Sequence, residues 1–121
     1  MRRVILDTNA LLMPFQFGLN LDLELERLLG SHEVLVPRPV LEELSALASK
    51  SGIARKALRL AKKYTMIESQ GKADEVLIEL ARSRKAIVVS NDRSVISSLR
   101  KESLAYIRLR SRSHLVLEGA L

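Results

Sequence analysis

Two short apolar runs, far apart in the chain, each end at a carboxylate flanked by small polar residues. Val4-Ile5-Leu6 leads into Asp7-Thr8-Asn9, and Ala86-Ile87-Val88-Val89 leads into Ser90-Asn91-Asp92. Apolar, β-branched runs of this length are typical of strands buried on both faces, as in a parallel sheet. Ligands of such sheets bind beyond the carboxyl ends of the strands. We therefore expect the two acids to share one pocket, where their mutual repulsion favours a bound cation.

The rest of the chain alternates between strand and helix patterns. Further strands are predicted at residues 33–36, 66–67, 105–109 and 114–117, and helices at 9–15, 21–29, 39–49, 53–64, 72–84 and 93–101. Pro14 is expected to disturb the first helix, and Gly30 to end the second. The alternation predicts one domain, residues 1–121, with a three-layer α/β fold in which helices flank a central, mainly parallel sheet.

Two more acids lie on the flanks of predicted amphipathic helices. In the third helix, Glu43 lies about 100° from the centre of the apolar face, whereas Glu42 lies nearly opposite that face. In the fifth helix, Asp74 lies on the flank and Glu75 is turned further away. An acid on the flank can point into a cleft beside the core, which favours Glu43 and Asp74. The ordinary alternatives are a solvated glutamate and, for the first-turn acids, the helix dipole.

Helix capping is the alternative explanation for Asp7 and Asp92, because aspartate is among the best N-cap residues. Each signal is weak alone, but two strand-end acids and two flank acids together form a set of oxygen ligands. Such a set suits Mg²⁺ or Mn²⁺. Three neighbouring side chains are candidates to orient the carboxylates or hold water, namely Thr8, Asn9 and Ser90.

Charge indicates a polyanionic partner. The chain carries 20 Lys and Arg against 14 Asp and Glu, a net charge of +6, and gathering four acids in a pocket makes the remaining surface more basic still. The fourth helix and the second strand-end turn supply candidate phosphate-binding bases, namely Arg55, Lys56, Arg59, Lys62, Lys63 and Arg93. Aromatic residues are few, so backbone charge is expected to dominate over base stacking. A solvated helix face is the ordinary alternative.

Several classes of protein are disfavoured. The chain has no cysteine, which excludes disulfides, thiol nucleophiles and cysteine metal sites. Neither His32 nor His114 has a ligand partner two to four residues away, which argues against zinc. No apolar stretch reaches the length of a membrane span, and the first strand leaves no room for a secretory signal, so we expect a cytoplasmic location and no membrane partner. No Gly-rich phosphate loop is present, which disfavours a nucleotide-driven enzyme.

The ordered set of these pieces resembles the PIN-domain nucleases. The resemblance runs through residues 4–9, 36–37, 40–44, 72–75 and 87–93, in order along nearly the whole chain. It implies a Rossmann-like sheet and Mg²⁺- or Mn²⁺-dependent hydrolysis of phosphodiester bonds in single-stranded RNA. Carried over residue by residue, the metal-binding and catalytic acids of the family fall on Asp7, Glu43, Asp74 and Asp92.

One position departs from the family pattern. Many members have another acid two residues after the last one, where this chain has Ser94. The departure leaves open whether one metal or two bind, and it supports an alternative function as a non-catalytic RNA-binding scaffold in ribosome assembly. Residues 105–110 are similar to the end of ribosome-biogenesis PIN proteins and their archaeal relatives, whereas VapC-type toxins share the same acidic framework.

The expected partners follow from that resemblance. RNA is the first of them, either single-stranded or as structured ribosomal or transfer RNA. A second copy of the chain, a small antitoxin and a ribosome-assembly factor stay open as protein partners. Apolar residues of the N-terminal helices are candidates for a partner surface, although core packing is the ordinary expectation for most of them.

Overall fold

The computed structural model describes all 121 residues and contains one six-stranded sheet with helices on both faces. The strands are β1 (Arg2–Leu6), β2 (His32–Pro37), β3 (Thr65–Ile67), β4 (Ile87–Val89), β5 (Tyr106–Arg110) and β6 (His114–Glu118). The helices are α1 (Thr8–Phe17), α2 (Leu21–Leu29), α3 (Arg38–Ala48), α4 (Gly52–Ala61), α5 (Ala73–Ser83) and α6 (Arg93–Lys101). None of the helices has the length and apolar character that a membrane crossing requires.

The sheet has the strand order β3-β2-β1-β4-β5-β6. Every neighbouring pair is parallel except β5 and β6, which are antiparallel. The predicted α/β fold with a mainly parallel central sheet is therefore confirmed. Strand β6, which the sequence predicts at residues 114–117, is present at the edge of the sheet, and its antiparallel direction was not predicted.

Burial on both faces explains the apolar run of β1. Val4, Ile5 and Leu6 are all fully buried. Val4 and Leu6 belong to a core shared with α1 to α4, whereas Ile5 belongs to a second core shared with α5 and α6. Because successive side chains of a strand point to opposite faces, a strand between two cores must be apolar at every position.

The position of β1 in the sheet creates a crevice. The chain leaves β1 toward β2 and β3 on one side and returns to β4 and β5 on the other. Leu6 of β1 pairs in parallel register with Val89 of β4. Ligands of open α/β sheets bind where the strand order reverses in this way, beyond the carboxyl ends of the strands. Asp7 and Ser90 follow those two paired residues directly.

The first helix continues through its proline. Helix α1 runs through Pro14 to Phe17 and ends at Gly18, whose φ of 67° is in the left-handed region. The expectation that Pro14 would disturb the helix is wrong in this respect. Leu11 and Met13 are buried in the core, and this packing outweighs the backbone hydrogen bond that proline cannot make.

Helix α4 is shorter than the sequence pattern indicates. It ends at Ala61 instead of Tyr64, and Lys62 is its C-terminal cap. Lys63 therefore lies in the connection to β3, outside the helix. Strand β3, which the sequence indicates only weakly at Met66 and Ile67, is present and pairs with β2.

Edge strand β6 is fastened to α2 through the backbone of Leu115. Glu24 Oε1 accepts a hydrogen bond from the Leu115 N–H at 2.7 Å, and Arg27 donates to the Leu115 carbonyl at 2.7 Å. The Arg27 Nε also donates to Glu24 Oε2 at 3.0 Å. The two side chains thus occupy backbone groups that an edge strand otherwise presents to solvent or to another strand.

We expect Glu24→Ala to lower the free energy of unfolding by about 1–3 kcal/mol, because it leaves the N–H of a buried residue without a partner. Leu115 itself is fully buried. Urea denaturation measures the change. Glu26→Ala, on the same helix and exposed, is the control and should change stability by less than about 0.5 kcal/mol. Equal losses in the two variants would contradict a specific role for the Leu115 contact.

Candidate functional site

Six polar side chains line one small cavity at the carboxyl ends of β1 and β4. The cavity has a volume of about 50 Å³ and is lined by Asp7, Thr8, Asn9, Val40, Glu43, Ala73, Asp74, Leu77 and Asp92. This space holds on the order of one or two water-sized groups. The structure therefore brings together all four acids that the sequence singled out.

Each of the four acids reaches the cavity from a different element. Asp7 follows β1, Glu43 lies on α3, Asp74 lies in the first turn of α5, and Asp92 is the N-cap of α6. The neighbouring acids do not line this cavity, and Glu75 lines a different one. The flank positions deduced from helical periodicity thus agree with the geometry, while the catalytic role of the acids stays a prediction.

Asp7 is the most deeply placed of the four acids, with only 6% of its surface exposed. It is also the N-cap of α1, since its Oδ1 accepts a hydrogen bond from the Ala10 N–H at 2.8 Å. Burial raises the pKa of Asp7 to about 6, and the charges of Asp92 and Asp74 add to the rise, while hydrogen bonds from Ser90 and Ala10 oppose it. A cation at this carboxylate would offset both the burial and the repulsion.

Asp92 is held in the charged form by its own helix. Its Oδ1 accepts hydrogen bonds from the Ser94 hydroxyl at 2.8 Å, the Ser94 N–H at 2.8 Å and the Val95 N–H at 3.4 Å. These hydrogen bonds, that of the Ser94 hydroxyl first, lower the pKa of Asp92. Capping and cavity lining therefore coexist in Asp92 as they do in Asp7, because capping uses one oxygen of each carboxylate.

Ser90 contacts the backbone of Asp92 and affects the pKa of Asp7. It is fully buried, and its Oγ accepts a hydrogen bond from the Asp92 N–H at 3.0 Å. A hydrogen bond from the Ser90 side chain to Asp7 acts to lower the pKa of that carboxyl. Ser90 does not line the cavity, and its role in orienting the acids stays a prediction.

The donor chemistry of the cavity fits a hard divalent cation. Each of its six polar side chains carries at least one oxygen atom, and the amide group of Asn9 adds the one nitrogen. Oxygen ligands are those that Mg²⁺ and Mn²⁺ prefer. The Thr8 Oγ1 is buried without a hydrogen-bond partner, and such an orphaned hydroxyl is a place for a water or an ion. As the side chains stand, however, no three of the acids are arranged to hold a metal ion.

The basic stripe predicted on α4 is only partly free. Arg55 donates to the Ala48 carbonyl at 2.8 Å, and Lys63 forms an ion pair with Asp22 at 2.6 Å. Arg55 therefore contacts the end of α3 and Lys63 contacts α2, and the sequence indicated neither contact. The exposed bases of this region that make neither a side-chain hydrogen bond nor an ion pair are Lys56, Arg59 and Lys62. None of these side chains lines the acidic cavity.

Two other exposed bases lie within two positions in sequence of an acid that lines the cavity. Arg93 is the first residue of α6, directly after Asp92. Lys72 is the N-cap residue of α5, two positions before Asp74. Both side chains are exposed. Lys72 was not among the predicted phosphate-binding residues, and its position before a first-turn acid is the signal that marks it.

Asn91 holds the loop before α6 in place, a role that no sequence pattern indicated. Its Oδ1 accepts a hydrogen bond from the Leu109 N–H at 3.0 Å, which ties this loop to β5. The two residues are 18 positions apart, so no local pattern reveals the contact. The bond between Ser94 and Asp92 was missed as well, although an aspartate followed two positions later by serine is a known local capping pattern.

Two comparisons with known proteins match nearly the whole chain. A family model described as a PIN like domain matches residues 4–112. Ribonuclease VapC4 from Methanocaldococcus jannaschii is 26% identical over 129 aligned positions, which cover 98% of this chain and 98% of that protein.

Solved structures confirm the fold. The structure of the PIN domain endonuclease Utp24 is similar with a TM-score of 0.85 at 23% identity, covering 98% of this chain and 92% of that one. A domain of a functionally unknown protein from Methanocaldococcus jannaschii has a TM-score of 0.64 at 15% identity, covering 100% and 99% of the two chains.

Proposed function

The chain belongs to the PIN-like domain family, and we propose that it is a Mg²⁺- or Mn²⁺-dependent ribonuclease that hydrolyses phosphodiester bonds of single-stranded RNA. The observation that carries the proposal is the convergence of four carboxylates from four elements on one cavity at the sheet's switch point. The names of two similar proteins, a ribonuclease and an endonuclease, support the reaction class.

The residues proposed to hold the cation are Asp7, Asp74 and Asp92, with Glu43 acting directly or through a water. Since no three acids are arranged as a complete ligand set, water would fill the remaining positions, as is usual for Mg²⁺. When bound, the cation supplies electrostatic stabilisation of the phosphate and a water of lowered pKa.

The other groups of the cavity act on water and on the carboxylates. Glu43 is exposed on α3 and is proposed to orient the attacking water. The Thr8 hydroxyl, which has no partner within the protein, is free to hold a water. Ser90 is proposed to hold the Asp92 backbone through the hydrogen bond that its Oγ accepts from the Asp92 N–H. Asn9 is proposed as a further support for the acids.

RNA would approach from outside, because a cavity of about 50 Å³ admits no nucleotide. The exposed bases proposed to contact phosphates are Lys72 and Arg93 beside the cavity, and Lys56, Arg59 and Lys62 on the α4 side. Binding through phosphates releases counterions, so affinity should fall steeply with salt.

We expect joint replacement of Lys56, Arg59 and Lys62 by glutamine to weaken RNA binding and to reduce the slope of log affinity against log salt by about 2, at roughly 0.7 per phosphate contact. Fluorescence anisotropy on single-stranded RNA in EDTA, between about 50 and 200 mM salt, gives both quantities. The control removes equal charge at the opposite end of the sheet through Arg2→Gln, Arg84→Gln and Lys85→Gln. An equal effect of the control would show that net charge alone decides binding.

The proposal is tested by a cleavage assay on single-stranded RNA with Mg²⁺, Mn²⁺ or EDTA. The parent, Asp7→Asn and Asp92→Asn are compared at equal concentration. Cleavage that requires a divalent cation and is lost in both variants supports the proposal. Equal cleavage by all three proteins means a contaminant or a different site. No cleavage by any of them, with RNA binding intact, favours the scaffold function.

Two cellular roles are proposed for this activity, and they predict different observations. A toxin, the setting that the resemblance to VapC-type toxins implies, would arrest growth on expression and be neutralised by a small antitoxin. A ribosome-processing enzyme would associate with pre-ribosomal RNA. A groove of about 370 Å³ is lined in part by Phe15, Leu19 and Leu60, and it is proposed as the place where a protein partner would bind. Co-purification with a small protein would favour the toxin, and co-purification with pre-ribosomal RNA would favour the ribosome-processing enzyme.

A further inference from the structure

The side chain of Ser94 is committed to one oxygen of Asp92. The Ser94 hydroxyl and the Ser94 N–H each donate to Asp92 Oδ1 at 2.8 Å, and the Val95 N–H adds a longer bond at 3.4 Å. A carboxylate oxygen offers about two lone-pair sites, so Oδ1 is saturated. The other oxygen, Oδ2, accepts no hydrogen bond and is the one left for a ligand.

Asp92 is held from the opposite side as well. Its N–H donates to the Oγ of Ser90 at 3.0 Å, and Ser90 is fully buried. Asp92 therefore lies between two serines, one that fixes its backbone and one that fixes its carboxylate. Any rotation of the Asp92 side chain breaks the bonds to Ser94, so the direction of Oδ2 at the cavity is set before a cation arrives.

We propose that Ser94 is a positioning residue that makes Asp92 a ligand through Oδ2 alone, an inference that rests on the proposed function. A ligand that is already oriented loses less conformational freedom on binding. Hydrogen-bond partners of ligating carboxylates typically change metal affinity by about 10- to 100-fold when they are removed. On this basis Ser94 supports the cation site through Asp92, at the position where the resemblance to PIN-domain nucleases implies an acid.

Helix capping alone does not account for the Ser94 side chain. The backbone N–H groups of Ser94 and Val95 already cap α6 through Asp92, and alanine keeps both of them. Ser94 is exposed and its hydroxyl has no other partner. Ser94→Ala therefore removes the hydroxyl bond to Oδ1 and leaves the cap.

The test is the affinity for Mn²⁺ in the absence of RNA, measured by isothermal titration calorimetry on the intact protein. We expect Ser94→Ala to bind Mn²⁺ about 10-fold more weakly than the parent. Ser94→Thr keeps a hydroxyl and should restore affinity to within about twofold of the parent. Ser98→Ala, one turn further along α6 and exposed, is the matched control and should behave as the parent.

The measured Mn²⁺ affinities test the positioning role of Ser94 separately from the proposed nuclease function. Parent-like affinity in Ser94→Ala overturns the positioning role and leaves the proposed function intact. Absence of Mn²⁺ binding by the parent overturns both. Equal weakening in Ser98→Ala also overturns the positioning role, since it would be a general effect of changes in α6. Should Ser94→Ala not fold in EDTA, Ser94→Thr and Ser94→Val, which match in shape and differ by the hydroxyl, give the same comparison.

Discussion

Asp7→Asn is expected to reduce RNA cleavage by at least roughly 100-fold and, in the absence of metal, to make the protein more stable at pH 8. The loss of cleavage follows because a metal-bound phosphate is stabilised by several kcal/mol, and each tenfold in rate corresponds to about 1.4 kcal/mol. Initial rates on single-stranded RNA with Mn²⁺ measure it. A deficit in cleavage with a gain in stability is the signature of a functional acid rather than a structural one.

The gain in stability follows from the burial of Asp7. Its pKa of about 6 lies above the ordinary carboxyl value of about 3.9, so the folded state binds the proton more tightly than the unfolded state. Stability is therefore lost as the pH rises from about 4 through about 6, and above that range the ionised carboxylate costs about 1–3 kcal/mol. Asparagine keeps the oxygen that accepts from Ala10 and carries no charge.

Urea denaturation in EDTA at pH 5 and pH 8 measures this difference. The stability of Asp7→Asn relative to the parent should be larger at pH 8 than at pH 5. Glu42→Gln removes an exposed acid that does not line the cavity and is the control for charge alone. A variant less stable than the parent at pH 8 would mean that the negative charge of Asp7 stabilises the fold, which contradicts the role assigned to burial.

The buried strands and the positions of the four acids could be predicted from the sequence, because they depend on the pattern of neighbouring residues. The runs before Asp7 and Asp92 are apolar because both strands lie between two cores, and that requirement is visible residue by residue. The flank positions of Glu43 and Asp74 follow from helical periodicity, which depends only on neighbours in sequence. Strand-end acids and flank acids then meet because parallel strands end at one edge of the sheet.

The remaining features depend on contacts between distant segments. The pair Lys63 and Asp22 joins residues 41 positions apart, and neither side chain carries a local mark of its partner. Pro14 was expected to disturb a helix that tertiary packing of Leu11 and Met13 keeps intact. Ser94 is a different case, since the resemblance to PIN-domain nucleases leads one to expect an acid at this position, whereas the structure shows a serine that donates a hydrogen bond to Asp92.

Divalent-cation binding is expected to weaken as the pH falls through about 6. Burial, with the charges of Asp92 and Asp74, raises the pKa of Asp7 to about 6, so below that pH a cation must displace a proton from this carboxylate. The apparent affinity for Mn²⁺ should then fall by up to about tenfold per pH unit. Calorimetric titrations at pH values of roughly 5, 6 and 7.5 measure it, and two buffers of different ionisation enthalpy give the number of protons released.

Two variants assign the titrating group. Glu43→Gln removes an exposed acid of the same cavity, so it should lower the affinity while leaving the pH at which the affinity changes near 6. Asp7→Asn should abolish that change, because the group that holds the proton is gone. Affinity that stays constant between pH 5 and 7.5 in the parent, or a pH dependence that survives in Asp7→Asn, would exclude Asp7 as the ligand that exchanges a proton for the cation. Proton release near pH 6 that is lost in Asp7→Asn would instead tie the burial of this one acid directly to the metal chemistry of the site.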